Sequence, residues 1–141
     1  MQKSSRFTVA SLVLAGMAAP GASGCRSGVA GTYQQICEAT CQANADCAGD
    51  NPLVDPVDVD DCKRDCRERT PEFEDELRDS CAEGNDVPAV DGAQAEECRD
   101  VLGRLGQYCR ENDQLGSDFY YLVEEIGTDC NSAEDPVFYC Q

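Results

Sequence analysis

Cys37-Glu38-Ala39-Thr40-Cys41 and Cys62-Lys63-Arg64-Asp65-Cys66 repeat one pattern, two cysteines four residues apart, in segments that otherwise read as helix. Residues four apart on a helix share a face, one turn above the other, so each segment offers two sulfurs in a column. Two antiparallel helices bring outer sulfur to outer and inner sulfur to inner. That order predicts two parallel staples, Cys37–Cys66 and Cys41–Cys62.

Around these staples, apolar residues recur at three- and four-residue steps in four places. In the first, Thr32 caps a helix with Gln35 closing a capping box, and Tyr33, Ile36, Cys37, Thr40 and Cys41 share a face. The second starts near Asp58 and runs Cys62, Cys66, Phe73, Leu77 and Cys81 along one stripe; Thr70-Pro71 kinks or divides it, and Gly84-Asn85 stops it. Asp91 with Gln94 opens the third, which carries Cys98, Val101, Leu102, Leu105, Tyr108 and Cys109. Ser117 caps the fourth, where Phe119, Leu122, Val123 and Ile126 line one side before Gly127 ends it. No strand-like alternation of comparable length is present, which leaves residues 48–57 and 86–91 as loops and 128–141 as a tail. The expected fold is all-α, a small disulfide-stapled bundle of about four helices with irregular loops and tail.

The chain has 141 residues, the size of one domain, and eleven are cysteines. That density belongs to an oxidising compartment. Leu, Ile, Val and Phe make up twenty of the 117 residues from Cys25 onward, about 17%, and the formal charge of the whole chain is −17. Such a composition stays disordered unless crosslinks replace the missing core, and each native disulfide contributes ~2–4 kcal/mol. The absence of histidine excludes Ser-His-Asp and Cys-His catalysis and imidazole-ligated zinc. The acidity excludes a basic nucleic-acid-binding surface.

Lys3 and Arg6 precede an apolar stretch over residues 7–19 that is too short for a stable membrane anchor and is laid out as a cleaved secretory signal. Ala22-Ser23-Gly24 then supplies small residues ahead of Cys25. This segment resembles a bacterial lipoprotein signal, whose lipobox ends in small residues and an invariant cysteine that receives diacylglycerol and becomes the new N-terminus. The resemblance implies a signal peptide over residues 1–24, lipid on Cys25, a tether over 25–31 and a cysteine-rich helical domain over 32–141. Ordinary signal-peptidase cleavage after Gly24 is the competing reading. Parity favours lipidation, because ten cysteines then remain and all can pair. Aspartate after the lipidated cysteine favours inner-membrane retention in enterobacterial lipoproteins, so Arg26 points to the outer membrane. Removal of residues 1–24 takes away two cations and no anion, leaving a charge of −19 and a single lysine, Lys63.

The paired C-x-x-x-C segments resemble the helical-hairpin frameworks of the twin C-x-x-x-C families, among them small mitochondrial chaperones and plant α-hairpinin peptides. That resemblance covers about 30 residues and implies scaffold architecture, not an activity. For the other six cysteines, Cys81 is expected to pair with Cys98 across the turn between the second and third helices. Cys47, Cys109, Cys130 and Cys140 are expected to tie the loop and tail to the bundle.

Three chemistries compete with this structural reading. Thioredoxin-like redox enzymes use C-x-x-C beside a βαβ pattern, and neither is present. Thiolates at i and i+4 could bind Cu(I), as bacterial copper-storage bundles do, but export oxidises them. Asp55, Asp58, Asp60 and Asp61 form an acidic cluster suited to calcium, yet an EF-hand register from Asp58 places Cys62, Lys63 and Arg69 where ligands and the turn glycine belong. The same residues make the acidic first turn of a helix. Glu96-Glu97 and Glu124-Glu125 point about 100° apart around their helices and read as a solvated face. Tyr120-Tyr121 and Phe138-Tyr139 are candidate recognition aromatics, with Tyr121 in a phase away from the fourth helix's apolar stripe. The sequence therefore predicts a non-catalytic, lipid-anchored cell-envelope protein, structural or partner-binding, with no cofactor and no catalytic residue. Its contacts would be the membrane, through the lipid, and an envelope protein. A metal-binding module and a thiol-disulfide redox protein are the alternatives.

Overall fold

The computed structural model describes residues 28–49, 55–113 and 116–141. Helices α1 (Val29–Ala48), α2 (Val59–Ala82), α3 (Gly92–Glu111) and α4 (Ser117–Asn131) form a bundle, and a two-stranded antiparallel sheet joins β1 (Pro88–Val90) to β2 (Phe138–Cys140). α1 packs along both α2 and α3, and α4 packs on α3. The architecture is all-α apart from this small sheet.

Capping chemistry fixes two helix starts. Asp58 accepts from the backbone N–H groups of Asp60 and Asp61 at 3.0 and 3.1 Å, and Asp91 accepts from that of Gln94 at 3.0 Å. The other two begin elsewhere than the sequence suggests. α1 starts at Val29 after Gly28, and Thr32, the expected cap, is buried inside the first turn at 6% exposure. α4 is capped from Gly116, with Ser117 its first residue, and it runs through Gly127 to Asn131, so the tail begins later than expected. Glycine lowers helix propensity by only about 1 kcal/mol, which one position cannot turn into a stop. α2 is not divided at Pro71. An interior proline costs ~3 kcal/mol, and here the helix is held on both sides of it. Ahead of Pro71, Cys62 and Cys66 are bonded to α1 and the Thr70 hydroxyl donates to the Cys66 carbonyl at 2.7 Å. Behind it, Phe73 stacks on Tyr33, with centroids 4.1 Å apart, and meets Phe138 edge-on at 5.0 Å.

The sheet lies in two stretches read from sequence as loop and tail. Pro88 opposes Cys140 and Val90 opposes Phe138, and Val87 exchanges two hydrogen bonds with Gln141 just beyond them. Three-residue strands are too short to display alternation, and proline is tolerated at a strand's first residue. α2 stops where expected, with Asn85 in the left-handed region at φ 60°.

Five disulfides tie these elements together. Cys37–Cys66 and Cys41–Cys62 join α1 to α2. Cys47–Cys109 joins the last turns of α1 and α3, so it links two helices and not a loop to the bundle. Cys81 bonds Cys140, not Cys98, which instead bonds Cys130. The reason is geometric. Cys98 lies about 9 Å along α3 from its start, at 1.5 Å per residue, on the side facing α4, where Cys130 sits inside that helix. The β1–β2 pairing meanwhile carries Cys140 back to the end of α2.

The core is thin: Ala43, Ala95, Cys98, Leu102, Leu105 and Val137 are buried together, only the two leucines being larger than valine. At Gly106, on the side of α3 that meets α1, a Cβ would stand 2.7 Å from an Asp46 carboxylate oxygen and 3.6 Å from the Ala43 Cα. Gly103, three residues earlier, is exposed with open space around its missing Cβ. Gly106→Leu is therefore expected to destabilise the fold by ~1–3 kcal/mol through overpacking. Gly103→Ala should stabilise it by up to about 1 kcal/mol through helix propensity, both read from denaturant melts of the oxidised protein.

Candidate interaction surface

The sulfur cluster at the two staples is the densest group of ligand-type atoms: the Sγ atoms of Cys37, Cys41 and Cys66 lie within 4.8 Å of one another. Cys41 Sγ and Cys66 Sγ, which belong to different disulfides, are 3.5 Å apart. Four-residue spacing on two facing helices stacks the bridges one turn above the other, and both Cys41 and Cys66 are buried. All four sulfurs of this cluster are in disulfides.

The acidic cluster at the start of α2 is engaged locally. Asp58 caps the helix, and Asp61 pairs with Arg64 at 2.6 Å. Asp55 and Asp60 are exposed, and the described geometry does not gather the four carboxylates round one point beyond this first turn. Cys25 lies outside the described residues.

A larger feature lies between α3 and α4. A groove of about 610 Å³ is lined by Glu96, Glu97, Asp100 and Arg104 from α3 and by Glu125 and Asp129 from α4. Residues 96 or 97, 100 and 104 follow helical spacing along α3, and 125 and 129 do so along α4, so each helix lends one strip. Gln94 pins the helices together by donating to the Asp129 backbone carbonyl at 2.7 Å, and Cys98–Cys130 locks them covalently. Arg104 lies across the groove. It donates from Nη2 and Nη1 to the two carboxylate oxygens of Glu125, at 2.5 and 3.1 Å, and from Nε to Asp100 at 3.0 Å. Five carboxylates face one guanidinium, a formal charge of −4 in one depression.

The hydrogen bonds and charge of Arg104 hold the Glu125 carboxyl below the usual carboxylate range, and Glu125 in turn, with Asp100, keeps Arg104 more firmly protonated. Glu96 and Glu97, read from sequence as a solvated face, are exposed and do line the groove; Glu124 and Glu125 diverge, with only Glu125 entering it. The sequence reading missed Asp100, Arg104 and Asp129. An i, i+4 Asp100-Arg104 pair was visible, but nothing local showed that Glu125, 21 residues on, would meet the same guanidinium.

The recognition aromatics divide. Tyr120 and Tyr121 are both about two-thirds exposed, whereas Phe138 is half-buried against Phe73 and Tyr139 is exposed at the end of β2. Val123, expected on the buried stripe, is 45% exposed, because Phe119, Leu122 and Ile126 turn inward and leave it on the flank of α4.

The lowered Glu125 carboxyl gives the groove a pH signature. Its contribution to stability is complete above the ordinary carboxylate pKa and is lost as pH falls through the lower folded-state value. Carboxyl NMR titration should therefore place the Glu125 midpoint below that of an unstructured glutamate, and Arg104→Ala should raise it; a midpoint indifferent to that substitution contradicts the pairing. Comparison with protein-family models, curated proteins and solved structures finds no match to this chain, so the chemistry of the groove rests on its own residues.

Proposed function

We propose that the protein is a non-catalytic, lipid-anchored protein of the bacterial cell envelope whose stapled domain presents a surface to a protein partner. The observation that carries this reading is the complete pairing of ten cysteines within the folded domain. Five disulfides assign the domain to an oxidising, extracytoplasmic compartment. Of the eleven cysteines in the sequence, that leaves Cys25, directly after Ala22-Ser23-Gly24, as the one outside these pairs. A cysteine there with no partner in the domain is the residue a lipobox modifies. None of the described helices is long and apolar enough to cross a membrane, so the anchor in this reading is the lipid. At ~0.8 kcal/mol per buried methylene, more than one acyl chain is required for stable attachment. With α1 starting at Val29, only residues 26–28 separate Cys25 from the helix, about 10 Å at full extension, which holds the domain close to the bilayer. Arg26 favours the outer membrane.

The chain has no histidine, which withholds the Ser-His-Asp and Cys-His constellations from it. Intact mass of the protein extracted from membranes is the deciding measurement. Cys25 should carry lipid, Cys25→Ser should release the protein from the membrane, and an unmodified Cys25 would sink the anchored reading. Thiol titration after denaturation without reductant should find no free thiol in the domain; ten free thiols would instead favour a Cu(I) or redox role.

A further inference from the structure

We propose that the outer face of α4 and the acidic groove beside it form one docking surface for a cationic polypeptide segment, rich in arginine or lysine, of another envelope protein. This deepens the partner-binding reading above and rests on it.

Two features of α4 mark it as unpartnered. It has no buried residue, and its tie to the rest of the domain is the contact with α3, the Cys98–Cys130 bond and the Arg104–Glu125 pair. Tyr121, about two-thirds exposed, lies on the side of α4 that borders the groove, whereas Tyr120 packs edge-on against Phe119 and Val123 occupies the opposite flank. Tyr121, Glu125 and Asp129 recur every four residues, so they stand one above another along the side of α4 that borders the groove. The tyrosine therefore continues the groove's acidic strip by one helical turn.

Charge decides the class of occupant. A second copy of a chain carrying −17 would set like charges against each other, and an anionic lipid surface would be repelled in the same way. A cationic segment gains from every carboxylate in the groove. The geometry also shows what the groove accepts, because a guanidinium already lies in it: Arg104 makes a two-pronged pair with Glu125 and a third hydrogen bond to Asp100. That pair engages two of the five carboxylates, and Glu96, Glu97 and Asp129 make no ion pair among the described residues. Arginine side chains of a partner would meet those three in the same planar, forked manner and would stack on the exposed face of Tyr121.

The test uses the full protein, purified oxidised from membranes in mild detergent, and a fluorescent twelve-residue peptide alternating arginine with serine. Anisotropy should show saturable, salt-sensitive binding. Glu96→Gln, Glu97→Gln and Asp129→Asn together should weaken it tenfold or more, and Tyr121→Ala about threefold. Neutralising three exposed acids of α2, Glu72, Glu76 and Asp79, removes the same charge far from the groove and should leave it within twofold. Equal loss from both triple variants would reduce the effect to net charge and overturn the site. Spermidine binding as tightly as the peptide would reassign the groove to small polycations, and a dimer in sedimentation that buries α4 would reassign the face to self-association; each overturns the proposal. Circular dichroism confirms that the variants fold. Failure of the peptide to bind a protein whose Cys25 carries lipid defeats the groove alone, whereas an unlipidated Cys25 defeats the anchored reading whatever the peptide does.

Discussion

Every helix of this domain is covalently tied to another, and the rest of the structure depends on those ties. α1 is bonded twice to α2 and once to α3, α3 is bonded to α4, and α2 is bonded to the terminal strand. The bridges span 21 to 62 residues, and in the chain-entropy account each taken alone removes roughly 3–4 kcal/mol of freedom from the unfolded chain. The loops interlock, so these values do not sum. The crosslinks nevertheless act on the state that a highly charged, poorly apolar sequence would otherwise favour.

That constraint explains a core made largely of small residues. Ala43, Ala95, Cys98 and Gly106 let α1 and α4 lie close against α3, and Ile36, Phe119, Leu122 and Ile126 pack half-buried around Leu102 and Leu105. The polar links follow the same arrangement. Arg99 reaches Gln35 on α1, Arg110 pairs with Asp46 on α1, and Arg104 reaches Glu125 on α4, so three arginines at successive stations of α3 each reach a neighbouring helix. Arg104–Glu125 is exposed, contributes modestly and is screened by salt, whereas the Asp46 side chain under Arg110 is only 12% exposed and the Arg99–Gln35 hydrogen bond is half-buried. Their value is in orientation, because they set which face of each neighbour turns toward α3.

How much of this was legible depends on the length of the signal. Four helices were readable because 15 to 24 residues of periodicity outweigh any single misplaced cap. The α1–α2 staples were readable because they follow from spacing inside two helices. The Cys81–Cys140 and Cys98–Cys130 bonds were not, since they depend on the β1–β2 pairing and on α4 continuing past Gly127 to include Cys130. Neither feature has a local signature: the strands are three residues long, and Gly127 reads as a stop to any rule that sees only its neighbours. The same limit hid the groove. Its two strips come from segments more than twenty residues apart in sequence, and only the helix pairing places Glu125 and Asp129 opposite Asp100.

The crosslinks also change what the surface is free to be. Tyr33, Phe73, Phe138 and Phe119 pack half-buried within the domain, while Tyr121 stays about two-thirds in solvent. α4 illustrates the point most clearly. None of its residues is fully buried: Phe119, Leu122 and Ile126 rest half-buried on the core, and a disulfide and a guanidinium pair fix the helix beside α3. Tyr120 rests edge-on against Phe119 with centroids 5.7 Å apart, whereas Tyr121 stands one helical turn from Glu125, beside a formal charge of −4. The proposed cationic partner would use that juxtaposition, stacking on the tyrosine and pairing with the carboxylates.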